Sequence, residues 1–352
     1  MGDLLSLFAS RETVRDQMRQ QIGLLLDSPV ASGIVLSIAN KQNDPGLVAG
    51  LETRIEMALA KVIVQNANLL SEPAPPNEKE DLSVIREVYK LGGTAGLDPV
   101  AIRRIGHFLV QYNQLRQFRP MGIASQPVTS ILKPVDFGSS FHFDLPRLRN
   151  ECFGEGLLCG REASLFLQKW PYLPTHFILV LEKSKHHLQF LMKDQHEWAW
   201  QVTETIGKTI TRFGMGKNSI GANASVPQSH WQPYVLDESF PADHFPSSEG
   251  CWTHNGGDFD YILPVEVFGN PSESWEWIED QLRADNPFNL HYTPGRIECF
   301  ARAYQGTYST PAWCCDPAWV ECAGLFIARD KFSYNRATSQ MAGLTIGKVR
   351  VR

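Results

Sequence analysis

The hydrophobic period of this chain changes at Arg119-Pro120, and that change restricts the folds open to it more than any single motif does. Ahead of it, apolar residues recur every three or four positions, the period of a helix with one buried face. Residues 12–27 carry Val14, Met18, Ile22 and Leu25 in that spacing, and residues 45–70 carry Leu51, Ile55, Met57, Leu59 and Val62. Three prolines in residues 71–77 interrupt the pattern, because proline lacks the N–H that a helix interior needs. Residues 78–91 resume it and stop at Gly92-Gly93. Asp98-Pro99 has the chemistry of a helix start, an N-cap carboxylate followed by proline in the first turn, and predicts a helix to Phe118.

Behind Pro120 the runs are short and strand-like: residues 138–143, 163–169, 177–181, 230–235, 261–268 and 295–303. Helices are predicted over 184–207 and 272–285, a glycine-rich turn over 214–219, and a long loop over 237–261. Residues 319–327 are apolar and rich in small side chains. This order suits an α+β fold with a mainly antiparallel sheet. The expected organisation is an all-helical N-terminal domain, 1–118, followed by an α+β domain, 119–352. Two domains is also the soft expectation from length.

With 33 basic and 38 acidic residues the formal charge is −5, and 43% of residues are hydrophobic. That excludes a disordered or low-complexity chain and argues against a dedicated binder of nucleic acid or anionic membrane. The sequence has neither a leader-like N-terminus nor an apolar window of membrane-spanning length, so a cytoplasmic location is expected. Seven cysteines, an odd number in a long chain, read as reduced thiols.

Most short motifs fail on spacing. Gly214 to Ser219 lacks the first glycine of a phosphate loop, Thr211 standing in its place, and Asn218 follows Lys217. Cys152 and Cys159 are too far apart for a zinc knuckle, and Cys314-Cys315 are adjacent. His186-His187 read as surface or packing residues rather than ligands. No metal and no cofactor is expected.

Residues 217–232, Lys-Asn-Ser-Ile-Gly-Ala-Asn-Ala-Ser-Val-Pro-Gln-Ser-His-Trp-Gln, carry the chemistry. Glycine and small side chains let a backbone approach a ligand, and successive N–H groups can cradle phosphate. The segment then enters a strand, where alternation places Gln228, His230 and Gln232 on one face. A neutral imidazole can attack phosphorus, and an amide can donate to a phosphoryl oxygen without acquiring charge. A histidine packed in the sheet beside hydrogen-bonded amides satisfies the same spacing.

Ala224-Ser225-Val226-Pro227-Gln228-Ser229-His230-Trp231-Gln232 resembles the Gly-Ala-Ser-x-Pro-His-x-His-x-Gln signature of the histidine-triad superfamily. The nearer branch is that of galactose-1-phosphate uridylyltransferase and diadenosine tetraphosphate phosphorylase. Residues 170–180, Trp-Pro-Tyr-Leu-Pro-Thr-His-Phe-Ile-Leu-Val, are similar to a strand of that branch, and residues 288–296, with Ala301-Arg302 and residues 321–324, are similar to its second half. The likeness covers residues 110–345 and implies an antiparallel histidine-triad-like domain. It implies that His230 forms a nucleotidyl-histidine, that Gln232 holds phosphoryl oxygens and that Ser225 contacts phosphate. The implied activity is that of a nucleotidyltransferase, phosphorylase or hydrolase on a nucleotide or nucleotide sugar, and a homodimer is compatible with it.

The sequence departs from the signature at three places. Gln228 replaces the first histidine, which argues against the zinc ion that this histidine can bind in the uridylyltransferase. Asn223 replaces a glycine in the phosphate loop, and Lys169-Trp170 replaces the usual asparagine. Lys169, Lys217, Asn218 and Arg302 are candidate phosphate contacts, and Trp231, Trp252 and Trp313 are candidate platforms for a base. His176 is expected to pack at a strand start, and His291 has no assigned role. The alternatives are a divergent biosynthetic enzyme using His230 as acid or base, and a nucleotide-binding protein without turnover.

Overall fold

The computed structural model describes residues 2–66, 80–119, 128–132, 141–237, 240–244 and 265–351. Helix α1 (Arg11–Asp27) starts at Ser10, whose hydroxyl accepts from the Thr13 N–H, and it buries the expected stripe of Val14, Met18, Ile22 and Leu25. Helix α2 (Ala31–Asn43) has no counterpart in the sequence reading. Residues 33–40 are all buried, so it lacks the polar face that gives a periodic signal. Helix α3 (Glu52–Gln65) is shorter than expected: Pro45–Val48 forms a separate 3-10 turn, and Met57 faces solvent. Helix α4 (Glu80–Lys90) ends where Gly92 and Gly93 take positive φ. The proline-rich stretch 71–77 lies outside the described residues.

The helix expected from Asp98 to Phe118 is instead a hairpin. Strands β1 (Ala101–Ile105) and β2 (Phe108–Tyr112) pair antiparallel about Gly106, whose φ of +63° suits a tight turn. Only the short α5 (Gln114–Gln117) is helical there. A strand at Leu325–Ile327 pairs in parallel with β2, and that distant partner decides the outcome against local spacing.

Three strands follow as an antiparallel meander: β3 (Cys152–Leu158), β4 (Arg161–Leu167) and β5 (Phe177–Leu181). Helix α6 (Lys193–Gly207) fills the second half of the predicted 184–207. The glycine-rich stretch expected as a turn is strand β6 (Phe213–Asn218), buried throughout. Then come β7 (Gln232–Val235), β8 (Val265–Phe268), α7 (Pro271–Arg283), β9 (Phe288–Thr293), β10 (Arg296–Ala301), α8 (Trp319–Cys322), β11 (Leu325–Ile327), α9 (Lys331–Arg336) and α10 (Ser339–Lys348). Of the strand expected at 138–143, residues 138–140 lie outside the described residues and 141–143 are not in a strand.

Strands β7-β6-β9-β10-β8 form one antiparallel sheet in that order. A backbone bridge between Leu179 and Trp231, with bonds of 2.9 and 3.0 Å, joins β5 to the chain entering β7. The meander and the five-stranded sheet therefore meet at Trp231. Helices α6 and α7 cover one face, packing on Met215, Leu290, Tyr292 and Ile297. Helix α8 covers the other, and the Trp319 indole lies where a Cβ on Gly216 would stand, 2.0 Å from its ring atoms. The α+β class is as expected. No described helix is long and apolar enough to cross a membrane, and none of the six described cysteines forms a disulfide.

Candidate functional site

His230 sits one residue ahead of the seam at Trp231. Regular strand begins only at Gln232, so the alternation expected over 228–232 is replaced by two isolated bridges, Leu188 with Gln228 and Leu179 with Trp231. The three side chains consequently go to different partners. Gln228 Oε1 accepts from the Phe143 N–H at 2.6 Å, and its Nε2 donates to the Lys183 carbonyl at 2.8 Å. Gln232 Oε1 accepts from Trp319 Nε1 at 2.8 Å and from the Tyr172 hydroxyl. No hydrogen bond among the described residues joins Gln228, His230 and Gln232 side chain to side chain.

The His230 ring is held by its Nδ1 edge. That nitrogen lies 3.0 Å from the Gln228 carbonyl oxygen and 2.7 Å from Gln189 Nε2. Nε2 has no hydrogen-bond partner among the described residues. The Phe143 ring tilts against the imidazole at 5.7 Å, and the residue is 5% exposed. Burial brings its pKa down to about 4, with the nearby Lys217 cation pushing the same way and the Gln228 carbonyl opposing. The ring is therefore neutral at neutral pH.

Lys217 and Asn218 are neighbours on β6, so their side chains leave opposite faces of the sheet. Lys217 joins His230: its Nζ donates to Ser229 Oγ at 2.6 Å and Gln189 Oε1 at 3.3 Å, and it lies 4.4 Å from the centre of the Trp231 ring. It is buried and makes no ion pair among the described residues, and burial lowers its pKa to about 7. Asn218 belongs to a second group. Its Oδ1 accepts from Asn289 Nδ2 at 2.7 Å and from the Trp319 N–H at 2.9 Å, and Asn289 Oδ1 accepts from Arg302 Nη1 at 3.1 Å. Arg302 and Asn223 both donate to the Pro317 carbonyl. Arg302 is fully buried and, like Lys217, makes no ion pair among the described residues. Asn223 occupies the left-handed region at φ +65°, a conformation that glycine or asparagine tolerates best. Its N–H donates to Gln305 Oε1 at 2.8 Å.

The remaining expected contacts lie elsewhere. Lys169 pairs with Asp81 at the start of α4. Ser225 is half-buried in the turn between the two groups. Trp231 is sealed in the core against Trp198 at 5.5 Å, and Trp313 packs on Phe326 at 5.4 Å, so neither offers an open face. Trp252 and most of the long loop at 237–261 lie outside the described residues. His176 is buried just ahead of β5, as expected, and His291 is buried between Tyr234 and Glu298. No motif marks Gln189 in the sequence. Asn289 falls inside a quoted family stretch, yet spacing alone did not single it out.

Two surface clefts, of about 400 Å³ beside Arg19 and Arg54 and about 250 Å³ beside Arg212 and Arg296, lie away from His230. Among the described residues, His142, Asp144 and His186 bring three donor atoms within 4.8 Å of one another, the set best able to hold a divalent cation. His186 Nε2 lies 2.8 Å from Asp144 Oδ1, so this exposed histidine is in hydrogen-bond contact with a carboxylate.

No model of a known protein family matches the sequence, and no curated protein matches it. Among solved structures, the yeast Ap4A phosphorylase Apa2 in complex with AMP aligns with a TM-score of 0.50 at 13% identity, over 72% of this chain and 88% of the phosphorylase. The chain shares the fold of that phosphorylase. The same enzyme alone and in complex with Ap4A aligns at TM-scores of 0.47, with 13% and 15% identity, over 72% of this chain and 86% and 89% of the phosphorylase. The likeness at 13% identity is one of fold, and it agrees with the α+β fold that the resemblance implies.

Proposed function

We propose that this chain acts on a phosphate bond of a nucleotide and carries the nucleoside monophosphate on Nε2 of His230. The observation that supports this reading is the grip on one edge of the ring: Nδ1 is engaged by Gln228 and Gln189 while Nε2 is without a partner among the described residues. A neutral imidazole whose Nδ1 proton is given to the Gln228 carbonyl presents the Nε2 lone pair as a nucleophile. In the first step Nε2 forms a bond to the α-phosphorus and the bond from phosphorus to the leaving phosphate oxygen breaks, its electron pair departing with that group. In the second step water, phosphate or a sugar phosphate attacks the same phosphorus and returns the electron pair to Nε2. Lys217, buried beside His230 without a carboxylate partner among the described residues, suits an anionic substrate. The N–H groups of Ala224, Ser225 and Val226, which make no hydrogen bond among the described residues, suit a phosphate cradle. The phosphorylase that shares the fold is named for its action on Ap4A and has been seen with AMP.

The test is intact mass after incubation with nucleoside triphosphates, Ap4A and nucleotide sugars. One substrate should add the mass of a nucleoside monophosphate as an adduct that acid removes and base leaves intact. The adduct should be absent from His230→Ala. Turnover that survives this substitution removes His230 as the nucleophile, and tight binding with no turnover favours a nucleotide-binding protein.

A further inference from the structure

The two neighbours of His230 Nδ1 make opposite demands. The Gln228 carbonyl at 3.0 Å needs a proton on Nδ1, whereas the Gln189 Nε2 amide at 2.7 Å donates and needs a lone pair there. The other end of the same amide fixes its orientation, since Gln189 Oε1 accepts from Lys217 Nζ at 3.3 Å. An ammonium has only donors to offer, so a charged Lys217 must face the amide oxygen. Gln189 Nε2 also donates to the Gln228 carbonyl at 3.0 Å, which further occupies that acceptor.

We propose that Gln189 is a positioning residue that sets the tautomer of His230, and that the charge on Lys217 sets Gln189. With Lys217 an ammonium, the amide nitrogen faces Nδ1, the ring carries its proton on Nε2, and Nε2 cannot attack phosphorus. With Lys217 an amine, its nitrogen accepts from the Gln189 amide, which turns over. Its oxygen then faces a protonated Nδ1, and Nε2 presents a lone pair. One proton leaves Lys217 for water; the ring gains none and loses none, exchanging its proton between nitrogens. The catalytic meaning rests on His230 being the nucleophile, but the coupling itself does not.

Other titratable groups on the elements packed around Lys217 are turned elsewhere. His196 on α6 bonds Tyr292 of β9 and Ser274 of α7. His291 of β9 and Tyr234 of β7 bond each other on the opposite face, and Glu321 caps α8 there. The face that Lys217 presents to the 228–231 segment meets Ser229, His230 and Trp231. His230 itself faces Phe143, Gln189 and Gln228. Burial brings Lys217 to about pH 7, which puts the switch in the physiological range.

Nitrogen NMR of protein labelled with 15N-histidine reads the tautomer without any substrate, and His230→Ala identifies the ring. The wild-type ring should carry its proton on Nε2 at pH 6 and on Nδ1 at pH 9. Lys217→Met should keep it on Nδ1 at both, and so should Gln189→Glu, whose carboxylate accepts on both sides. kcat/KM should be about tenfold lower at pH 6 than above pH 8 in the wild type, and this rising limb should vanish in Gln189→Glu. A wild-type tautomer that is unchanged from pH 6 to 9, or a switch that persists in Lys217→Met, overturns the proposal. A switch seen in a protein that never forms a histidine adduct overturns only the nucleophile assignment.

Discussion

Lys217 is held in the interior by two side-chain oxygens, a more distant carbonyl and an indole face, with no carboxylate in ion-pair range among the described residues. A buried charge without a partner costs several kcal/mol, so this position opposes folding. The sign of its pH dependence follows. Its folded pKa of about 7 lies below the ordinary lysine value of 10.5, so the unfolded chain binds the extra proton between those values and stability rises with pH across that window. Lys217→Met should raise stability by about 1–4 kcal/mol below pH 7, with the gain shrinking towards pH 10.5, as urea unfolding at pH 6 and pH 10 would measure. An equal gain at both would mean that Lys217 keeps an ordinary pKa. At this scale His230 was legible in the sequence because a histidine and two glutamines at alternate positions are a pattern. Gln189 was not, because its role depends on two contacts that exist only after the meander and the sheet have met.

Elements were legible where one face is buried and the other wet. Helices α1, α4 and α7 show that amphipathic stripe and were found near their true ends. Helix α2 is buried too completely to show it. Strand β6 was misread for a different reason: Gly214 and Gly216 look like turn residues, but each leaves out a Cβ so that an aromatic ring can lie on the sheet. A Cβ at Gly214 would stand 2.4 Å from the Tyr234 hydroxyl oxygen, and one at Gly216 would stand 2.0 Å from Trp319. Trp319 also donates from its indole to Gln232 Oε1 and from its backbone N–H to Asn218 Oδ1, so displacing it disturbs both side chains. Gly216→Ala should therefore destabilise by at least about 1–3 kcal/mol, as for an overpacked core. Chemical unfolding followed by tryptophan fluorescence would measure this, with a blunted native signal from Trp319. A variant as stable as the wild type would show that α8 is free to shift.

Across the whole molecule, the largest apolar core runs from Leu4 and the helices through β3, β4 and β5 to Cys299 on β10, so residues on both sides of the expected boundary contribute to one interior, and the β1–β2 hairpin already breaks the helical run ahead of it. The protein buries ionisable groups whose effects on stability oppose each other. Burial lowers His176 to about 3 and His196 and His230 to about 4, so their neutral forms stabilise the fold above pH 6.5 and lose that contribution as the pH falls. Burial raises Glu151 and Glu321 to about 7, so their protonated forms stabilise the fold below pH 4.5 and lose that contribution as the pH rises through 7. Between pH 7 and 5 the three histidines are largely offset by the two glutamates; below pH 4.5 that offset ends and Glu182, held at about 2 against its desolvation by hydrogen bonds from His187, Arg161 and Lys185, loses its contribution together with the histidines. The denaturation midpoint should vary little over the first interval and fall steeply over the second. Glu321→Gln isolates one side of this balance, because the amide oxygen can still accept the Ala318 N–H that Glu321 Oε2 now takes at 2.8 Å. The variant should be more stable than the wild type at pH 8 and should lose stability faster between pH 7 and 5. Parallel profiles for the two proteins would mean that Glu321 titrates as an ordinary carboxylate and that its burial is relieved in solution.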